Sequence, residues 1–178
     1  MSTLITPHGG YRNLKSFQNS TIVYDLTVIF CEKYLDRKSR TNDQMTQDAR
    51  SGRQNIAEGS QASGTSKKTE LKLISVARAS LEELLLDYED FLRQKGLVMW
   101  GKDDPRVAEM RRLAYMSDRS STTYATYMSS PESAANMMIC LIHQTNYLLD
   151  QQLRALEKQF LEEGGFTERL YRERKKRQ

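Results

Sequence analysis

Residues 59–68 read GSQASGTSKK: a glycine, four residues, a second glycine, then Thr65 and Ser66 ahead of Lys67 and Lys68. The run is one substitution short of the phosphate-binding pattern G-x-x-x-x-G-K-[ST], so its reading chooses between a nucleotide-binding α/β fold and a different architecture. Such a loop follows a buried strand, its glycines let backbone amides cradle phosphates, and its lysine neutralises their charge. Gly59, Gly64 and Ser66 fit, but Thr65 stands where the lysine belongs, and the preceding QNIAE (54–58) has helical character. No acidic metal-binding strand follows. A turn between two helices fits better: Gly64 makes the bend, Thr65 or Ser66 caps the next helix, and Glu70 falls in its first turn, where negative charge is favoured. The nucleotide reading is rejected, and the chain reads all-α.

On the N-terminal side of this turn a helix is expected over about 41–61, opened by Thr41 in a capping box with Gln44. Met45, Ala49, Gly52 and Ile56 recur at helical spacing and form its core face, where Gly52 costs helix propensity but lets a neighbouring helix approach. A first helix precedes it over about 14–37, after a non-helical lead-in, Pro7-His8-Gly9-Gly10. It carries two apolar stripes, Ile22, Val23, Leu26, Ile29, Phe30 and Phe17, Tyr24, Val28, Cys31, Leu35. One stripe suffices for a bundle core, so the second implies another contact. On the C-terminal side a third helix spans 66–95, about 45 Å long, and ends on Arg93, Lys95 and Gly96, ordinary stop signals. Ile74, Ala77, Leu81, Leu84, Leu85, Tyr88 and Leu92 line one stripe. Arg78 projects close to it and needs a partner, for which Glu58 and Glu82 are the candidates. Together with Asn55 they form a candidate structural polar set, and a structural ion pair or a snorkelling side chain is the plainer reading of Arg78.

Residues 97–130 read as an insert. Pro105 suits the first position of a short helix reaching about Met116, and SDRSSTTYATYMSS (117–130) lacks apolar periodicity and reads as an irregular loop. Trp100, Tyr115, Tyr124 and Tyr127 have the ring faces that could stack bases, although aromatics in connections more often pin the loop to the body. Ser130-Pro131-Glu132 then opens a long helix over 131–163. Ala135, Met138, Ile139, Ile142, Leu149, Leu153, Leu156 and Phe160 face inward, and Ala134, Met137, Leu141, Leu148 and Ala155 form a second stripe. Two double-striped helices carry more apolar surface than a monomeric bundle needs, which argues for self-association. Residues 11–164 form one domain in this reading, and 165–178 a helical basic tail.

The chain has 178 residues, enough for one domain with a sizeable core. No apolar run approaches the length of a membrane span. No basic region followed by an apolar stretch opens the sequence, and the two cysteines, Cys31 and Cys140, sit in helix-patterned runs, so a reducing cytoplasm is expected. The formal charge is +4, and residues 168–178 hold all of it: Arg169, Arg172, Arg174, Lys175, Lys176 and Arg177 against Glu168 and Glu173. The rest of the chain is balanced, 21 basic against 21 acidic side chains. Attraction to polyanions would begin at the tail.

Several chemistries lack their residues. A di-iron or di-manganese carboxylate bundle needs a Glu-x-x-His on each of two helices; the histidines are His8, in the lead-in, and His143, with Cys140 three residues before it. Neither cysteine has a C-x-x-C partner, and no G-x-S-x-G or histidine-rich cluster supplies acyl-transfer chemistry. The expectation is a non-enzyme without metal or cofactor.

The segment ARSGRQNIAEGSQAS (49–63) followed by KLISVARASLEELLLDYEDFL (72–92) resembles the bacterial four-helix bundle proteins first described as products of 23S rRNA intervening sequences, a family that includes the accessory protein of diversity-generating retroelements. Ala49-Arg50, Asn55-Ile56-Ala57-Glu58-Gly59, Ala77-Arg78-Ala79-Ser80-Leu81 and Glu83-Leu84 carry the match, which extends more weakly over 11–100. The remainder resembles the four-helix bundle suffix region of a longer subgroup. The resemblance implies an antiparallel up-and-down bundle assembled as a homopentamer around a central channel. It also implies nucleic-acid and reverse-transcriptase binding through basic surfaces, with Arg50 and Arg53 on the matching helix.

Two classes of function follow. One is an oligomeric accessory protein whose basic C-terminal arms contact RNA or DNA phosphates, beside a polymerase or ribosomal RNA. The other is a scaffold for a protein partner, in which the tail is a solvated helical end and the Ser/Thr/Tyr loop makes the contact.

Overall fold

The computed structural model describes residues 4–177, and every regular element among them is helical. Four long helices, α1 (Lys15–Tyr34), α2 (Arg40–Ala62), α3 (Lys67–Lys95) and α5 (Pro131–Glu163), pack as a closed ring in which α1 touches α2 and α5, and α3 touches α2 and α5. Contacts across each pair join residues near the start of one helix to residues near the end of the next. Ser16 Oγ donates to Gln152 Oε1 (2.8 Å) while Tyr34 OH, at the other end of α1, donates to Met128 O just ahead of α5 (2.7 Å). Between α1 and α2, Arg53 reaches Thr21 and Asn42 reaches Cys31 O. Between α3 and α5, Arg78 reaches Asp150 and Asn136 reaches Val98 O just beyond α3. Each of these three pairs therefore runs in opposite directions.

The ring holds one apolar core. Met45, Ala49 and Ile56 of α2 and Ile74, Ala77, Leu81 and Leu84 of α3 are fully buried, as their periodicity requires. Gly52 is where α2 and α3 come closest: a Cβ there would stand 2.6 Å from Leu81 Cδ2. Toward the far end, Phe30 of α1 meets Tyr88 and Phe91 of α3 edge-on at 4.9 and 5.0 Å. Tyr88 OH, wholly buried, donates to Thr27 Oγ1 at 3.0 Å, so its hydroxyl is satisfied without water.

Helix ends follow the local chemistry with some displacements. Ser66 caps α3 by accepting from Thr69 N, Gly96 closes it at φ 65°, and Ser130 caps α5 ahead of Pro131. The cap of α2, however, is Ser39, which accepts from Asn42 N. Thr41 lies inside the helix, so the expected Thr41–Gln44 box does not form. Helix α1 stops at Tyr34 rather than 37, because Leu35 turns to extended backbone. Gly64 is not left-handed. A Cβ there would meet the exposed His8 ring at 2.7 Å, where the lead-in, tied by Gly9 N donating to Ser60 O (3.1 Å), lies against the α2–α3 turn.

The insert departs most from expectation. Residues 97–100 are stitched to α5 by buried Asn136, whose Oδ1 accepts from Trp100 N (2.7 Å) and whose Nδ2 donates to Val98 O (2.8 Å). Helix α4 (Pro105–Leu113), capped by Asp104, ends short of Met116 and lies on α5. The expected irregular loop contains a 3-10 helix, Ser121–Ser129, packed on α1 and α5, with Tyr124 fully buried. Trp100 and Tyr127 pack edge-on at 6.1 Å, while Tyr115 is 92% exposed, so three of the four aromatics pin the insert and one does not. Part of the second stripes is buried within one chain: Phe17 and Cys31 of α1, with Phe17 against Tyr11 and Arg53, and Ala134, Met137 and Leu141 of α5. Tyr24, Val28, Leu35 and Leu148 of the same stripes stay half-buried, and Ala155 is exposed.

Candidate nucleic-acid interface

The C-terminal tail is an α-helix, α6 (Phe166–Lys175), joined to α5 by Gly164 and Gly165. Gly164 takes φ 73°, and Gly165 N donates to Glu168 Oε2 (2.8 Å), fixing the corner between the two helices. None of its residues is fully buried. The six basic side chains read as one cluster in the sequence divide into three groups.

Two belong to the corner. Arg172 Nη2 donates to Glu163 O at 2.8 Å, satisfying a carbonyl left over at the end of α5. Arg169 is half-buried, with Nε and Nη2 shielded and unpartnered among the described residues. A third, Lys176, pairs with Glu173 at 2.8 Å, and that exposed pair holds the Glu173 carboxyl below its usual range. Arg174, Lys175 and Arg177 remain. They are exposed and make no ion pair among the described residues.

Arg174 and Lys175 share a face of α6 with Thr167, Leu170 and Tyr171, along an open groove of about 430 Å³. Tyr171 is 67% exposed. Cations flanking an exposed ring can hold a phosphate backbone and stack a base at the same time. The charge of this segment was legible from composition. The division among its members was not, because it depends on a carbonyl nine residues upstream and on the corner at Gly164.

On α2, Arg50 is exposed but Arg53 is not presented. Its Nε donates to Thr21 Oγ1 (3.0 Å), its Nη1 to Gln54 Oε1 (2.8 Å), and its guanidinium lies over the Phe17 ring at 5.0 Å. It ties α2 to α1. Asn55 bonds Ser51 O and Ser51 Oγ, and the latter touches Ser80 Oγ of α3 at 2.9 Å, so Asn55 belongs to a polar seam between helices.

Arg78 pairs with Glu82 at 2.6 Å, as one of its two candidate partners, but its second partner is Asp150 of α5 at 3.0 Å. Glu58 is exposed and makes no ion pair with Arg78. Asp150 and Asn146, which reaches Glu82 at 3.4 Å, were missed because they lie more than sixty residues from their partners, beyond any periodicity signal.

Burial pushes both thiols, Cys31 and Cys140, up to about 11, so neither is ionised at neutral pH. No group of three or more His, Cys, Asp or Glu among the described residues could hold a metal ion, and no helix there is long and apolar enough to cross a membrane. Comparison with protein-family models, with curated proteins and with solved structures finds no match to the chain.

Proposed function

We propose that this chain is a non-enzymatic nucleic-acid-associated accessory protein of the cytoplasm, with α6 as the arm that contacts the strand. The observation that carries the reading is the trio Arg174, Lys175 and Arg177, exposed and without an ion pair among the described residues, with Arg174 and Lys175 sharing a groove with Tyr171 on a helix that buries no residue fully and Arg177 just beyond its end. Phosphate contacts from these three cations would supply sequence-independent affinity, and Tyr171 would favour single strands, whose bases are free to stack. The resemblance of 49–63 and 72–92 to intervening-sequence and retroelement accessory proteins supports the same reading. It also supports assembly as a homo-oligomer, a pentamer by that likeness, with a nucleoprotein such as a reverse transcriptase or ribosomal RNA as the setting.

The test is fluorescence anisotropy of a labelled single-stranded oligonucleotide with the full chain, at several salt concentrations. Light-scattering mass is measured on the same samples. Replacing Arg174, Lys175 and Arg177 together by Gln is expected to flatten the plot of log affinity against log salt by about 2, at roughly 0.7 per phosphate contact on a single strand. Binding that is absent, or unchanged in the triple variant, would remove α6 as the arm and leave the scaffold for a protein partner as the working alternative. A monomer mass would remove the oligomer.

A further inference from the structure

A second basic site lies away from α6, where the lead-in, α1 and the insert meet. A cavity of about 320 Å³ is lined by Arg12, Thr21, Asp25, Arg119, Ser120 and Ser121 over a floor of Phe17 and Ile22. Arg119 donates to Asn19 Oδ1 (2.6 Å) and to Tyr124 OH (3.1 Å), which are both neutral, so its charge is held in place but not cancelled. Arg12 is exposed and lies over the Tyr11 ring at 5.2 Å, with no ion pair among the described residues. Arg53 adds a third uncancelled guanidinium at the edge, 3.0 Å from the Thr21 hydroxyl that lines the cavity. Against these three charges stands one carboxylate, Asp25, exposed on the rim.

None of the three guanidiniums has a carboxylate partner among the described residues. The floor gives no room for base stacking, because Phe17 is nearly buried between the Arg53 cation and the edge of Tyr11 at 4.8 Å. What remains is a small, open, mostly apolar cavity edged by the Arg12 and Arg119 guanidiniums, with the Ser121 hydroxyl on its wall and those of Thr21 and Ser120 already bonded to Phe17 O and Thr122; paired guanidiniums suit a tetrahedral oxyanion through charge-assisted hydrogen bonds. We propose that this cavity takes a backbone phosphate of the same nucleic-acid strand that α6 contacts, with Arg12 and Arg119 as the ligating cations. The inference rests on the reading that the chain binds nucleic acid, and it adds a contact that uses none of the arm's residues.

Arg12→Gln is the informative substitution, because the Arg12 side chain makes no hydrogen bond among the described residues and gives up only its exposed contact with the Tyr11 ring; Arg119→Gln would also release Tyr124 and Asn19. Asp25→Asn is its counterpart, removing the only acid on the rim. Both are made in the full chain and again in the chain carrying Gln at 174, 175 and 177, and anisotropy is measured with the same oligonucleotide. Arg12→Gln is expected to reduce the salt slope by about 0.7, one phosphate contact, in either background. Asp25→Asn is expected to tighten binding about two- to fivefold, the size of one surface charge interaction.

If neither substitution changes slope or affinity while the triple variant does, the cavity proposal is overturned and the α6 reading stands. If the cavity variants act and the triple variant is silent, the reverse holds. The free anion is tested separately by titrating inorganic phosphate at constant ionic strength and following the backbone amides of Arg119, Ser120 and Ser121. Shifts from phosphate with none from the oligonucleotide would assign the cavity to a free oxyanion and overturn the strand.

Discussion

Gly52 and Leu81 show how far a single atom decides the α2–α3 interface. Alanine in a helix is favoured over glycine by about 1 kcal/mol, yet a Cβ at position 52 would stand 2.6 and 2.8 Å from Leu81 Cδ2 and Cγ, and Leu81 is fully buried with nowhere to go. Overpacking of this kind costs about 1–3 kcal/mol, so Gly52→Ala is expected to lower the denaturant midpoint, and Gly52→Ala with Leu81→Ala should show the two positions strongly coupled. Gly59→Ala is the control. Its Cβ would meet neighbours at 3.4 Å, ordinary contact, and the variant should be no less stable than the parent.

Asp48 makes a pH prediction at the same scale. One of its carboxylate oxygens is shielded without a partner, and desolvation together with the nearby Glu83 and Asp87 charges raises its carboxyl to about 6. A folded-state value above the unfolded one means the native state binds the extra proton, so stability falls as pH rises from about 4 to about 6. Asp48→Asn should remove that slope and stabilise the protein at pH 7 by about 1 kcal/mol, the shift being discounted for the solvent that reaches the rest of the side chain. Urea melts at pH 4, 5, 6 and 7 decide it, and an unchanged slope would rule Asp48 out as the source.

Among the elements, the four long helices were legible because burial on one face imposes a 3.6-residue period that survives in the sequence. The core positions of α2 and α3 could be read off one by one. The layer over α5 could not, since a 3-10 helix of nine residues leaves no usable period. The burial of Tyr124 also depends on Arg119 reaching Asn19, a hundred residues away. The second apolar stripes were visible, but not what covers them: sequence periodicity tells that a face is buried, not whether the cover comes from the same chain. Asn136 is the side chain that holds this cover. Asn136→Ala would strand Trp100 N and Val98 O, a loss of about 2–3 kcal/mol. Because Trp100 is the sole tryptophan, its emission should shift to the red and its transition should precede the loss of helix seen by circular dichroism. Coincident transitions would mean that the insert and the bundle unfold as one unit.

For the whole molecule, the covered stripes have a thermodynamic consequence. Phe17, Cys31, Ala134, Met137 and Leu141 find their cover inside the chain, so the bundle and its insert bury a continuous core without a second copy. The apolar residues left outside on α3, such as Val76 at 39% and Leu86 at 54% exposure, stand ten positions apart, about 15 Å along the helix, and need no partner to keep them from water. The single chain should therefore fold by itself, even where an assembly has dissociated. Any complex of folded subunits raises the unfolding midpoint with protein concentration by mass action, but a self-sufficient fold still melts cooperatively at concentrations too low for assembly. Where light scattering gives the monomer mass, a cooperative thermal melt is expected. Removing residues 166–178, none of which is fully buried among those described, should leave the midpoint unchanged while taking away the arm. A chain that is unfolded wherever it is monomeric would show that some surface of α1, α3 or α5 gains its stability only against another copy, and would return self-association to the centre of the fold.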